Sequence, residues 1–166
     1  PTHGRGRAPL VSARVTDTDR GASALVSRLR NAKGSRVKVG VLDDGPKDAG
    51  EGRAPGPLSL VDVALVQEFG AGHVPQRSFV RAAVDEAIED IRSTQHALAV
   101  QVFKGSTRLP DALNRLGAKV AGMMQTRIAR GIDPPNAPST VAAKGSSKPL
   151  VDTGQLKAAL TWKVET

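Results

Sequence analysis

Arg36-Val37-Lys38-Val39-Gly40-Val41-Leu42 alternates apolar and polar residues for seven positions. Val37, Val39 and Val41 fall on one side and Arg36 and Lys38 on the other, the pattern of a strand with one face buried. The turn Lys33-Gly34-Ser35 precedes it, and before that Leu25, Val26 and Leu29 share one face of a helix read over residues 20–31. Residues 10–16 alternate again, with Val11, Ala13 and Val15 on one side. The last segment, residues 161–166, sets Trp162 and Val164 between polar neighbours and reads as a closing strand. Three short strands spread through an otherwise helical chain predict an α+β fold: a small antiparallel sheet covered by helices.

The helical signals are of two kinds. Ser59 followed by Asp62 is a capping-box pattern, with Leu58 and Val63 placed as a hydrophobic staple. That helix runs to Phe69 and meets Gly70, a left-handed stop. Its apolar residues point several ways, which predicts heavy burial. A long helix then starts near Ser78. Val84, Ile88, Ile91, Gln95, Leu98 and Val102 step by four and three residues and draw one stripe. Gly105 ends it. Another helix, over residues 110–130, carries Leu113, Leu116, Val120, Met123, Met124 and Ile128 on one face. The short turn between them predicts an antiparallel, projecting hairpin.

Loops fill the rest. Residues 1–9 are rich in Gly, Arg and Pro and read as a flexible basic arm. Residues 10–166 then form a single domain. Residues 43–57 have no apolar period, and residues 131–149 hold prolines 134, 135, 138 and 149. A proline-rich connection of that length is expected to be functional or disordered. Asp152 with Gln155 repeats the capping-box pattern and opens a last short helix, with Val151 and Leu156 as its staple.

Composition narrows the function. The 166 residues contain no cysteine, which removes disulfides, thiolate metal sites and thiol nucleophiles. Aromatic residues make up 2% of the chain, so Val, Leu, Ile and Ala must build the core. Such a core buries less area per residue and favours support from partner subunits. No run reaches the ~20 apolar residues of a membrane span. The start at Pro1 suits a removed initiator methionine, and the first residues lack a signal-peptide core. The net charge is +8, with the excess in residues 1–56 and 111–166. A basic end can meet phosphates, an acidic protein surface or water alone.

Few residues invite catalysis. His3, His73 and His96 stand apart and show no metal-ligand spacing. His73 is read as a hydrogen-bonding pin of its loop, and His96 as a half-buried helix residue. Asp85, Glu86, Glu89 and Asp90 form an acidic helix face suited to a basic partner. Residues 144–147 lack the glycine spacing of a phosphate loop, and no Gly-x-Ser-x-Gly elbow occurs. No catalytic, cofactor or metal residue is assigned. A hydrolase would need a pocket gathering a histidine with carboxylates.

Two ordered sets of residues are more specific. The first is Val66-Gln67-Glu68-Phe69-Gly70, then Val74-Pro75-Gln76-Arg77-Ser78-Phe79-Val80. The second runs from Pro134-Pro135-Asn136-Ala137-Pro138-Ser139-Thr140 through Lys144-Gly145-Ser146 to Pro149-Leu150-Val151-Asp152-Thr153-Gly154-Gln155-Leu156. Together with Gly40-Val41-Leu42 before a variable loop, their order resembles the tail-completion proteins of long-tailed phages, the minor tail protein Z-like family. The resemblance spans residues 10–166 and leaves the arm uncovered. It implies a non-enzymatic virion protein: a neck subunit at the head–tail junction, in a ring expected to hold six copies. It would meet tail-terminator, tail-tube and head-completion or adaptor proteins and assemble in the host cytoplasm. It also implies structural or interface roles for Glu68, Phe69, Gly70, Pro75, Arg77, Phe79, Pro138, Thr140, Lys144, Asp152, Thr153, Gly154 and Leu156. Phe69 is expected to plug the core and Asp152 to cap its helix with help from Thr153. Arg77 could hold the turn through backbone carbonyls or Glu68, or cross a subunit interface. The alternative is a DNA-contacting protein using residues 1–9 and the lysines at 144–148, with genomic DNA in the channel as its partner.

Overall fold

A computed structural model of the chain describes residues 19–42, 59–144 and 154–166. The arm, the strand expected over 10–16, the loop over 43–57, the staple residues Leu58 and Val151, and Asp152 and Thr153 lie outside the described residues. Within them the fold is α+β, with seven helices and one two-stranded sheet.

Strand β1 (Arg36–Val41) pairs antiparallel with β2 (Leu160–Glu165), so that Val37 faces Val164, Val39 faces Trp162 and Val41 faces Leu160. The alternation puts these apolar pairs on the core side. Arg36 and Lys38 lie on the other side, where both pair with Glu165 at 2.6 and 2.7 Å.

The core side of the sheet rests on helix α5 (Leu109–Arg130), which is the central element of the molecule. Leu116, Val120, Met124 and Ile128 are buried along it, on the stripe expected from the sequence. Gly117 lies where Trp162 crosses: a Cβ there would come within 2.6 Å of the indole ring. Helix α4 (Ile88–Lys104) turns at Gly105 (φ +76°) into α5 and packs on it. The expected hairpin is therefore present, but it does not project. Its second arm is held between the sheet on one side and α4 and α3 on the other.

The helix expected to start near Ser78 is two helices, α3 (Arg81–Glu86) and α4, separated by Ala87. There the Ala87 amide bonds to the Val84 carbonyl, a tightened i to i+3 turn, at 3.2 Å. The break lets Ala83 and Ile91 both reach the core. Gln95, the polar member of the stripe, is exposed.

Three burial expectations change. Helix α1 (Ala22–Ala32) has no buried residue, and Leu25, Val26 and Leu29 are exposed, because only the end of α4 and the start of α5 face it. Helix α2 (Leu60–Phe69) has its Ser59–Asp62 capping box, with the Asp62 amide 3.1 Å from Ser59 Oγ. It is not heavily buried, however. Ala64 and Glu68 are its buried residues, while Leu60, Leu65 and Phe69 stand in solvent, because α2 packs on β1 and α7 from one side. His96 is exposed on α4.

The 131–149 connection is not loop throughout. Helix α6 (Pro138–Lys144) occupies its second part. Helix α7 (Gln155–Ala158) follows, starting after Gly154 (φ +74°), a residue with no side chain to cap with. The start lies two residues beyond the one the Asp152 pattern predicts. Leu156 is buried.

Candidate functional site

The first resembling set folds into one corner, where α2 ends, the chain turns, and α3 begins. Gly70 stops α2 with φ +77°, and its backbone crosses so close to the next segment that a Cβ would meet the Gln76 amide at 3.0 Å. A side chain is excluded there twice over, by conformation and by space. Ala71 and Val74 then close the turn through reciprocal backbone bonds of 3.1 and 2.9 Å. His73, expected to pin this turn, is exposed and bonds to none of the described residues; the backbone bonds of Ala71 and Val74 do the pinning.

Glu68 is buried, at 6% exposure, and its carboxylate reaches across the turn. It accepts from the Ser78 hydroxyl at 2.6 Å and from the amides of Phe79, Val80 and Arg81 at 2.8, 2.9 and 3.1 Å. These amides open α3, and no turn of helix precedes them to accept their protons. Glu68 thus caps α3 from another helix, beside Ser78 Oγ, which accepts from the Ala82 amide at 3.2 Å. Burial pushes its pKa up; the Ser78 hydroxyl and the three amides together outweigh that and hold the carboxyl below the ordinary value.

Arg77 is equally buried, at 6% exposure. Its Nε donates to the Pro134 carbonyl at 2.8 Å, one Nη to the Pro135 carbonyl at 3.1 Å and the other to Gln67 Oε1 at 3.3 Å. Of the roles open to it, the side chain takes the one through backbone carbonyls, and it ties the start of the proline segment to the end of α2. Proline supplies carbonyls with no amide of its own, so this segment depends on an outside donor. Phe79, fully buried, fills the space behind the corner. Arg127, from α5, donates to the Ser78 carbonyl at 3.0 Å and pairs with Glu86.

Phe69 does the opposite of what was expected. It does not plug the core; it is 63% exposed. Glu68 must point inward to cap α3, and one residue along a helix rotates the next side chain by about 100°. With Leu65, Val61, Val41, Val80 and Arg81 it lines an open apolar groove of about 320 Å³. A second apolar groove, of about 260 Å³, lies between α1, α4 and α5, with Leu29, Phe103 and Leu113 among its walls.

The remaining predicted residues do not join the corner. Pro75 is exposed in the turn, Pro138 opens α6, and Thr140 is half-buried within it. Lys144 ends α6. Gly154 and Leu156 belong to α7, which packs against α2 and α5. The acidic face at Asp85, Glu86, Glu89 and Asp90 is exposed, as expected. It is largely neutralised from within: Glu86 pairs with Arg127, Glu89 with Arg92 at 2.8 Å, and Asp90 with Lys119 at 2.6 Å.

Sequence reasoning missed Gln67, Ser78 and Arg127 as members of the corner, and the prolyl carbonyls as acceptors. Ser78 carried a usable signal, standing just before a helix as caps do. The carbonyls carried none. Among the described residues no group of three or more His, Asp or Glu is placed to hold a metal ion, and no helix is long and apolar enough to cross a membrane. No family model matches the chain, and no curated protein or solved structure matches it.

Proposed function

We propose that this chain is a structural virion protein, a tail-completion subunit that closes into a ring at the neck of a long-tailed phage. The observation that carries the reading is Phe69 at 63% exposure, set outward on a corner whose two buried charged side chains are fully occupied in holding it still. A helix α2 that presents Leu60, Leu65 and Phe69 to water costs a lone protein solubility and gives an assembling one a ready contact. The second groove, beside α1, supports the same reading. Head-to-tail rings need two unlike surfaces on each subunit, and these two grooves are built from different elements. The order of motifs resembling tail-completion proteins supplies the place: the neck, with tail-terminator, tail-tube and head-completion proteins as neighbours. The work is mechanical, with no turnover.

Electron microscopy of virions carrying a labelled copy of this chain tests the proposal. Density for the label at the head–tail junction is the expected result. A chain missing from purified virions, or one that turns over a substrate through His73 or His96, would overturn it.

A further inference from the structure

We propose that the end of the molecule where α4 stops, α5 starts and β1 begins binds the phosphate backbone of double-stranded nucleic acid. This goes beyond the neck reading and does not depend on it. An open cleft of about 410 Å³ lies there, with Arg28 and Asn31 of α1, Thr107 and Arg108 of the α4–α5 turn, and Thr166 after β2 in its walls. Arg30, Lys33 and Lys104 are exposed around it, and Arg36 opens the neighbouring strand.

The charge of this end is not balanced locally. Helix α1 contains no acidic residue. Among the described residues at this end, Asp111 is held by Arg108 at 2.8 Å and Glu165 is shared by Arg36 and Lys38. The opposite end of α4 is the control within the same molecule, since its acidic side chains are matched by Arg92, Lys119 and Arg127. Among the described residues this end therefore carries a local excess of cations, as a polyanion-binding surface requires, while exposed cations such as Arg130 and Lys157 stand singly elsewhere.

The chemistry favours phosphate over carboxylate. Four of the six cations named around the cleft are arginines; Arg108 and Arg36 are shared with Asp111 and Glu165, while Arg28 and Arg30 keep donors of a planar fork that can take two phosphate oxygens at once. Arg28 uses one Nη on the Phe103 carbonyl, at 2.9 Å, and keeps further donors for a ligand. The cations follow one another in the chain through α1, its turn and the first residues of β1, so a polyanion with repeated charges can meet several of them. Basic residues here are not interleaved with aromatic ones, so the contact is to backbone rather than stacked bases, and it carries no sequence preference.

The test is fluorescence anisotropy of the full chain with a labelled random-sequence DNA duplex across a salt series. The double variant Arg30→Glu/Lys33→Glu is compared with Arg130→Glu/Lys157→Glu, which changes the net charge equally away from this end. Both pairs are exposed, and thermal melts confirm that each variant folds. The expected result is binding by the parent chain that weakens steeply with salt. The first variant should lose at least about ten-fold in affinity and lower the salt slope by about two, and the second should change less than about two-fold. Three results would each overturn the proposal: no binding by the parent at low salt, equal losses in both variants, or binding of polyglutamate in place of the duplex.

Discussion

Glu68 and Arg77 are both buried at one corner of the fold and do not pair with each other. The carboxylate faces the amides of residues 79–81, and the guanidinium faces the carbonyls of Pro134 and Pro135. Opposite charges so close would ordinarily meet. Here each satisfies a different set of backbone groups, and in doing so they join three segments, α2, the start of α3 and the chain leaving α5. A direct ion pair would leave those backbone groups buried without partners.

Replacing Glu68 should show this in stability and in its pH dependence. Glu68→Ala strips four donors of their acceptor and is expected to cost about 2–4 kcal/mol, with Glu68→Gln milder, by urea denaturation at neutral pH. The folded-state pKa lies below the ordinary glutamate value of 4.5. The carboxylate's contribution is therefore fully present above that ordinary value and is lost as pH falls through the lower, folded-state one. The parent should lose stability across that acid range, and Glu68→Gln should lose less. A parallel pH dependence in the two would contradict the capping role.

Glu165 adds a second acid-sensitive contact. The Lys38 and Arg36 bonds hold its carboxyl at about 2. Titration of Glu165 followed by NMR should thus lag well behind that of an unpaired glutamate, and Lys38→Ala should move it upward. An unchanged titration in that variant would show the pair to be unformed in solution.

Arg77→Ala should destabilise the fold by about 2–3 kcal/mol, since charged hydrogen bonds to two prolyl carbonyls vanish. Arg77→Lys should rescue little, because one ammonium cannot reproduce the fork. Arg81 gives the contrast. Its amide, not its side chain, serves Glu68, so Arg81→Ala should stay within about 0.5 kcal/mol of the parent. Equal midpoints for the Arg77 and Arg81 variants would remove Arg77 from the corner.

Two glycines on α5 should respond with opposite signs. A Cβ at Gly117 would stand 2.6 Å from the Trp162 ring and 2.8 Å from Val37, so Gly117→Ala should cost about 1–3 kcal/mol. Gly122 has nothing within 4 Å of such a Cβ and sits inside the helix, so Gly122→Ala should stabilise by about 0.5–1 kcal/mol. Thermal melts of both variants decide it.

Phe69→Ser and Leu65→Ser remove exposed side chains and should leave the melting temperature of the isolated chain within a few degrees. Self-association measured by sedimentation should fall. A large loss of stability without any change in association would return Phe69 to the core, as the sequence alone suggested.

Much of this architecture is legible in the sequence because it is set by local patterns. The valine alternation at 36–42, the Ser59–Asp62 cap, the α5 stripe and the glycine stops are decided within a few residues, and the chain follows them. What depends on distant partners is not legible. An all-round apolar helix reads as buried, yet α2 is covered from one side, and nothing local says which side. Phe69 is the clearest case: its neighbour Glu68 is drawn inward by a hydroxyl ten residues later and amides eleven to thirteen residues later, and the helix turn then carries Phe69 outward. Arg77 finds its partners 57 and 58 residues away, in carbonyls that every sequence contains and none advertises. Helix, strand and cap were written in short-range periodicity; which polar group answers which, and which apolar face is left to water, only tertiary packing decided.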